Sequence, residues 1–282
     1  MKKVWITGAG GLIGNYLVET AKEHASGCEV LPLTRHELDL EDAAATEALF
    51  RQTRPDAIIH CAGLTQTGAC QQNPKLARRL NVDVTKRLCE LAAGIGFFFF
   101  STDLVFDGTK GNYVEEDPVS PLTVYAQTKV SAERLVLKNP THTVIRAGLN
   151  GGESPKRNRG FNEELKLAWA AGRTTKLFVD EFRSPIPAAV TARAVWELVR
   201  QDAAGLYHLG GREKLSRWEI GSILAKRWPQ LQARMEQETI KNFKATPRPE
   251  DVSMDSSKIQ KLLSFRVPGL EEWLKANSEA PF

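Results

Sequence analysis

Residues 3–14 read Lys-Val-Trp-Ile-Thr-Gly-Ala-Gly-Gly-Leu-Ile-Gly, and how this stretch folds decides the class of the chain. Lys3 to Thr7 is a short apolar run, Gly8 to Gly11 supply a turn, and Leu12 opens a segment of helical period reaching about His24. Strand, tight turn and helix make half of a βαβ unit. Gly8, Gly11 and Gly14 fall in a G-x-x-G-x-x-G spacing. At each of them a side chain would block something: a positive φ, the approach of backbone to a phosphate, or close contact of strand and helix. A diphosphate at the helix start would meet free N–H groups and a favourable dipole. With 21 glycines in 282 residues the spacing alone is weak. Its position between a first strand and a first helix is what predicts dinucleotide binding.

Outward from this turn the alternation continues. Glu29 to Thr34 reads as a strand, Glu41 to Thr53 as a helix and Ala57 to Ala62 as a strand. Asn73-Pro74 opens a helix predicted to run to about Ala93. Phe97 to Ser101 is a strand of the kind buried on both faces, Val124 to Leu137 is helical, and Thr143 to Arg146 is a strand. Strands separated by helices imply a parallel sheet covered on both sides, so the fold class is α/β with a doubly wound Rossmann sheet. After Gly148 the texture changes, through a basic loop (Lys156, Arg157, Arg159) and a helix from about Asn162 to Ala171. A helix from Ala188 to Gln201 and a strand at Leu206 to Leu209 return to the sheet. The expected organisation is a nucleotide-binding domain of residues 1–150 and about 186–210. Residues 151–185 and 211–282 form a smaller C-terminal substrate-binding lobe.

Composition narrows the function. With 42% apolar and 26% charged residues the chain can bury a large core, which excludes intrinsic disorder. The longest run free of charged and polar residues, Leu91 to Phe100, falls short of the ~20 residues needed to span a membrane. A net charge of +4 is spread along the chain, without the basic stripe that nucleic acid requires. Met1-Lys2-Lys3 before an apolar run imitates a leader peptide, but a glycine every three residues is a poor export core. Four cysteines without a C-x-x-C pair read as reduced thiols, and a cytoplasmic location is expected. The five histidines never stand at i, i+4, and no metal is expected.

Twenty residues past Gly14, where an NAD-selective site places an acidic residue, stand Thr34, Arg35 and His36. Arg35 can pair bidentately with a 2′-phosphate, which favours NADP(H) and leaves NAD(H) as the second choice, with Glu37 and Asp39 near enough to supply an acidic group from a shifted loop. Tyr125 and Lys129 lie one helical turn apart on one face. A hydride delivered to a ketone creates an alkoxide, and a phenol can protonate it. An ammonium ~4 Å from the phenolate would lower its pKa. Ser101-Thr102-Asp103 follows the apolar strand, at the end where doubly wound sheets bind ligands. Thr102 is placed to hydrogen-bond a carbonyl, and Asp103 reads as a turn former.

Together, Thr7-Gly8 with the glycine triple, Cys61-Ala62-Gly63, Asn81, Ser101-Thr102-Asp103 and Tyr125 to Lys129 resemble the extended short-chain dehydrogenase/reductase family. Val105 to Gly108, Asp117-Pro118 with Pro121-Leu122, Asp180 to Pro185, Gly205 to Leu209 and Arg248-Pro249 leading to Asp255 through Lys258 are similar to its dTDP-4-dehydrorhamnose reductase branch. The resemblance implies Thr102, Tyr125 and Lys129 as the catalytic trio. It implies a cofactor site of Gly8, Gly11, Leu12, Ile13, Gly14, Arg35, Asp39, Leu40, Cys61, Ala62 and Gly63, with Tyr125 and Lys129. Substrate contacts are expected at Thr65, Asp103, Leu104, Asn150, Arg183 and Arg248. The implied reaction is NADPH-dependent reduction of the C4 ketone of a nucleotide-linked deoxysugar, by a homodimer.

Departures from the branch bear on substrate. Leu104 stands where an aromatic usually follows the Thr-Asp pair, and the region of Gly148-Leu149-Asn150 lacks a usual Trp. Carboxylates associated with magnesium in some members are not evident near Asn15-Tyr16. Dehydratases carry Asp-Glu where this chain has Asp103-Leu104, which disfavours elimination. A sugar-nucleotide epimerase is a further alternative. So is a non-catalytic NADP-binding regulatory subunit, because that of methionine adenosyltransferase resembles the same branch.

Overall fold

The computed structural model describes residues 1–243 and 246–282. Strand β1 (Lys2–Thr7) leads through the glycine turn into α1 (Leu12–Glu19) and α2 (Ala21–His24). The single helix expected from Leu12 to His24 is thus broken at Thr20, whose hydroxyl donates to the Tyr16 carbonyl at 2.6 Å and competes with the helical bond there. β2 (Cys28–Leu33), α3 (Ala43–Thr53, capped by Asp42) and β3 (Ala57–His60) follow.

The helix expected from Asn73 to Ala93 is three pieces, and a short helix precedes it. After α4 (Thr67–Gln72), Asn73 caps α5 (Pro74–Arg78), a π-helical turn spans Arg79–Asp83, and α6 (Val84–Leu91) resumes. The wider turn turns Asn81 inward. Its Oδ1 accepts from Leu64 N–H at 2.7 Å, and its Nδ2 donates to the Leu64 carbonyl and the Thr128 hydroxyl. π-turns of this kind recur at functional sites, and this one ties the loop after β3 to α7.

β4 (Gly96–Thr102), α7 (Val124–Val136) and β5 (Thr143–Ala147) come next, and β10 (Gly205–Leu209) completes a six-stranded sheet. Between them lie β6 (Asn150–Gly151), α8 (Phe161–Ala170), β7 (Thr175–Phe178), β8 (Phe182–Arg183), β9 (Ile186–Pro187) and α9 (Ala188–Arg200). The sheet order is β10-β5-β4-β3-β1-β2, every pairing parallel. The order reverses at β1, so a crevice opens beyond the carboxyl ends of β1 and β3, where such sheets bind ligands.

Each face of the sheet carries a core. Val4, Ile6, Ile59, Phe98 and Phe100 pack under α1 and α9 with the fully buried Trp196. Trp5, Ile58, Phe97 and Phe99 face the other way, towards Leu88 of α6 and Val136 of α7. Alternate phenylalanines of one strand thus serve opposite cores, as the period of a strand requires.

The remaining elements are β11 (Leu215–Ser216), α10 (Arg217–Arg227), β12 (Met235–Glu238), α11 (Ser257–Gln260) and α12 (Leu270–Ala276). They pair in small sheets, β8 with β11 and β7 with β12. A third core gathers Leu165, Trp169, Leu177, Ile220, Leu224, Trp228 and Leu270. Within residues 211–282, which the sequence assigns to this second lobe, Ile259 and Val267 pack into the α9 face of the main sheet. None of the two-residue strands is long enough to leave a periodic signal. Among the described residues no helix is long and apolar enough to cross a membrane, and the four cysteines are free thiols.

Candidate active site

The glycine turn is shaped by close approach. Gly8 holds a φ of 73°, and a Cβ on it would lie 2.6 Å from the Ala62 nitrogen. A Cβ on Gly14 would come within 2.3 Å of the Gly8 carbonyl oxygen. Gly11 caps α1 without a side chain, and no acidic residue occupies the first turn, so the N–H groups of Leu12, Ile13 and Gly14 are left to an incoming anion. The missing Cβ atoms let the turn, the Cys61–Ala62 backbone and α1 pack against one another, and the uncapped helix start beside them offers the free N–H groups that a dinucleotide diphosphate would meet.

At the end of β2, the Arg35 side chain is 78% exposed, with Asp39 3.9 Å away, free to meet a phosphate. Glu37, exposed on the same loop, is engaged locally. It closes its own loop, accepting the Thr34 N–H at 3.0 Å and the Thr34 hydroxyl, and these bonds hold its carboxyl below the usual range. Asp39 likewise accepts from Glu41 N–H, and Leu40 packs against the core on the Trp5 side of the sheet.

Tyr125 and Lys129 stand on one face of α7, both buried. Burial pushes the Tyr125 phenol up, while the facing Thr102 hydroxyl and the Arg183 charge favour its ionised form and Asp103 and Cys70 oppose it. The expectation that Lys129 acidifies this phenol is not met. Its Nζ turns to the ring of Phe99, 4.0 Å from the centroid. Burial lowers its pKa to about 8, with Glu133 and Cys61 holding it up. One helical turn brings the two residues to the same face, and the packing of β4 decides where the long lysine side chain points.

Thr102 ends β4 and caps the short turn Asp103–Val105, accepting from Leu104 N–H at 3.2 Å. Asp103 is fully buried and receives Arg183: Nε donates to Oδ2 at 2.7 Å and Nη2 to Oδ1. Glu181 extends the chain of charges, accepting from Arg217 Nε at 2.8 Å and Arg248 Nη1 at 2.7 Å. Burial works against its ionisation, but Arg217, Arg183 and Arg248 hold its pKa down to about 2. Arg217 leaves Nη1 buried without a partner.

The structure therefore sets Gly8, Gly14, Ala62 and Cys61 together at the glycine turn, Thr102, Asp103 and Arg183 together after β4, and Tyr125 and Lys129 one turn apart in the first half of α7. Leu104 packs beside Tyr125, and Thr65 lies exposed on the loop after β3. Among the described residues Arg248 meets the site through Glu181, its guanidinium over Phe178 and Phe243. Asn150 turns back on the Gly148 carbonyl, beside Gly151, which packs on Phe282. The basic loop at 156–159 is a solvated face, with Arg157 on Glu153. Sequence reasoning missed Glu181, Arg217 and Cys70. Only the charge alternation in Asp180-Glu181-Phe182-Arg183 hints at the first. No cluster of three or more metal-ligating side chains occurs among the described residues.

Comparison with known proteins identifies the family of the chain. The family described as the RmlD substrate binding domain matches residues 1–280. Methionine adenosyltransferase 2 subunit beta of Xenopus laevis is 32% identical, over 97% of this chain and 87% of its own length. The dTDP-4-dehydrorhamnose reductase of Sinorhizobium fredii is 28% identical, over 95% and 93%. Among solved structures, the Bacillus anthracis dTDP-4-dehydrorhamnose reductase in complex with NADP superposes with a TM-score of 0.89 at 22% identity, over 98% of both chains.

Proposed function

Because the chain belongs to the RmlD substrate binding domain family and is 28% identical to a dTDP-4-dehydrorhamnose reductase, we propose that it is an NADPH-dependent reductase of a nucleotide-linked 4-keto-deoxysugar. The observation that carries the reading is the pair Tyr125 and Lys129, both buried and one turn apart on α7, packed against the end of β4 that carries Thr102, with the uncapped helix start after the glycine turn. A reduced nicotinamide, when bound, supplies the hydride. Gly8, Gly11, Leu12, Ile13 and Gly14 would hold its diphosphate, Cys61 to Gly63 its far wall, and Arg35 its 2′-phosphate. Tyr125 gives its proton to the ketone oxygen, and Thr102 orients the carbonyl, its one hydroxyl proton turning there from Asp103 Oδ1. Lys129 would meet the nicotinamide ribose. Asp103 has both oxygens on Arg183, so it does not serve as a second acid–base group, which supports simple reduction over elimination.

Residues 1–150 and about 186–210 form the nucleotide-binding half in this reading, and Thr65, Leu104, Asn150 and Arg248 border the sugar nucleotide. A cytoplasmic location and a homodimer belong to it too. The test is consumption of NADPH by the purified protein with enzymatically generated dTDP-4-keto-L-rhamnose, NADH in parallel. Oxidation dependent on the keto sugar supports the reductase. A second reading, a regulatory subunit, is favoured by the 32% identity to methionine adenosyltransferase 2 subunit beta. Tight NADPH binding without turnover, with co-purification of a larger enzyme, would support that one.

A further inference from the structure

Arg183 and Asp103 lie 80 residues apart in sequence and both are buried. All three guanidinium nitrogens approach carboxylates: Nε and Nη2 bond Asp103, and Nη1 lies 4.0 Å from Glu181. The charge of Arg183 is thus balanced within the protein before any substrate phosphate arrives. A forked arginine–carboxylate pair fixes direction as well as distance. What it fixes here is the turn after β4. Thr102 donates to Asp103 Oδ1 at 3.2 Å and accepts from Leu104 N–H at 3.2 Å, so a carboxylate held by Arg183 holds the Thr102 hydroxyl in turn.

We propose that Arg183 is a positioning residue for the Tyr125–Thr102 pair: clamped on Asp103, it ties β8 to the turn after β4 and keeps the Thr102 hydroxyl facing the phenol. The role rests on the reading of Tyr125 as proton donor. The turn reaches Tyr125 through Leu104, which packs against it beside Cys70 of α4, and the charges of Asp103 and Arg183 act on the phenol from the same side, with Lys129 a turn further along α7. Arg183 acts on this set by geometry and by cancelling the Asp103 charge, and touches no reacting atom.

The test has two arms. The four tyrosines are labelled with ¹³C at Cζ, and Tyr125 is assigned by the signal lost in Tyr125→Phe. Arg183→Met and Arg183→Lys should both shift the Tyr125 resonance and leave Tyr16 and Tyr207 in place, since lysine keeps the charge but not the fork. With the keto sugar, kcat should fall about tenfold or more while KM stays within about threefold. An unmoved Tyr125 signal in both variants overturns the proposal, and so does a rise in KM with kcat unchanged, which would make Arg183 a substrate grip. If the protein turns over no keto sugar, the reductase reading fails on its own, and the resonance still reports whether Arg183 acts on Tyr125. Should Arg183→Met not fold, the Asp103→Asn/Arg183→Gln double variant leaves no unpaired buried charge and must move the same signal.

Discussion

The ammonium nitrogen of Lys129 sits 4.0 Å from the ring centroid of Phe99, so a cation lies on the aromatic surface of the central sheet with little water around it. Burial lowers its pKa to about 8, against about 10.4 in an unfolded chain. The unfolded state therefore binds the extra proton between these values, and folding stability rises with pH across that window. Below pH 8 the lysine costs up to about 3 kcal/mol. Lys129→Met should be more stable than the parent in urea at pH 7, with the gap narrowing by pH 9.5; a constant gap would contradict the assignment.

His60 and His208 are buried, and their pKa values are lowered to about 3, each first by burial and then by a neighbouring cation, Lys129 for His60 and Arg146 for His208. Depressed folded-state values mean that the unfolded chain takes up these protons first as pH falls below 6.5. Stability is then lost progressively towards pH 3. His60→Asn should reduce the slope of unfolding free energy against pH by about 1.4 kcal/mol per unit between pH 6 and 4. Urea titrations at stepped pH measure it.

Glu181 balances three arginines. Glu181→Gln would leave Arg183, Arg217 and Arg248 repelling one another in a mostly buried cluster, at a cost of about 3–5 kcal/mol. The carboxylate's own contribution is present above pH 4.5 and lost as pH falls through about 2. Chemical unfolding at pH 7 should show the loss, and an unchanged midpoint would remove Glu181 from its place as hub.

Tyr125→Phe should abolish most turnover while NADPH binding, by fluorescence titration, stays within about twofold, because the phenol acts only on the reacting oxygen. Unchanged turnover would exclude Tyr125 as proton donor.

Arg35→Ala should weaken NADPH binding by about tenfold and leave NADH nearly untouched, since the side chain projects freely at the end of β2. Equal losses for both cofactors would end the case for a 2′-phosphate partner.

Much of this was legible because it is local. KVWITGAGGLIG carries strand, turn and helix within twelve residues, and the phenylalanines at 97–100 announce a strand with two dry faces. The π-turn at Arg79–Asp83 is not visible, because one extra residue per turn leaves a helical pattern almost unchanged. The two-residue strands β6, β8, β9 and β11 are shorter than any period. Tyr125 and Lys129 were readable as neighbours on a helix, but the direction of the lysine depends on Phe99, thirty residues away. The partner of Arg183 is farther still, and nothing in the sequence near Asp103 names it.

The last strand of the main sheet, β10, pairs with β5 only after the chain has made β6 to β9, α8 and α9. The helix α9 closes over α1, with the Trp196 indole donating to the Leu17 carbonyl at 3.1 Å. The halves are therefore interleaved along the polypeptide and cannot be severed. A fragment ending near residue 150 would lack both its edge strand and the helix that roofs Val4, Ile6, Ile59, Phe98 and Phe100, leaving a wide greasy plane in water and an open edge beside it. On a ribosome, that incomplete sheet is what a chaperone would meet until some sixty more residues emerged.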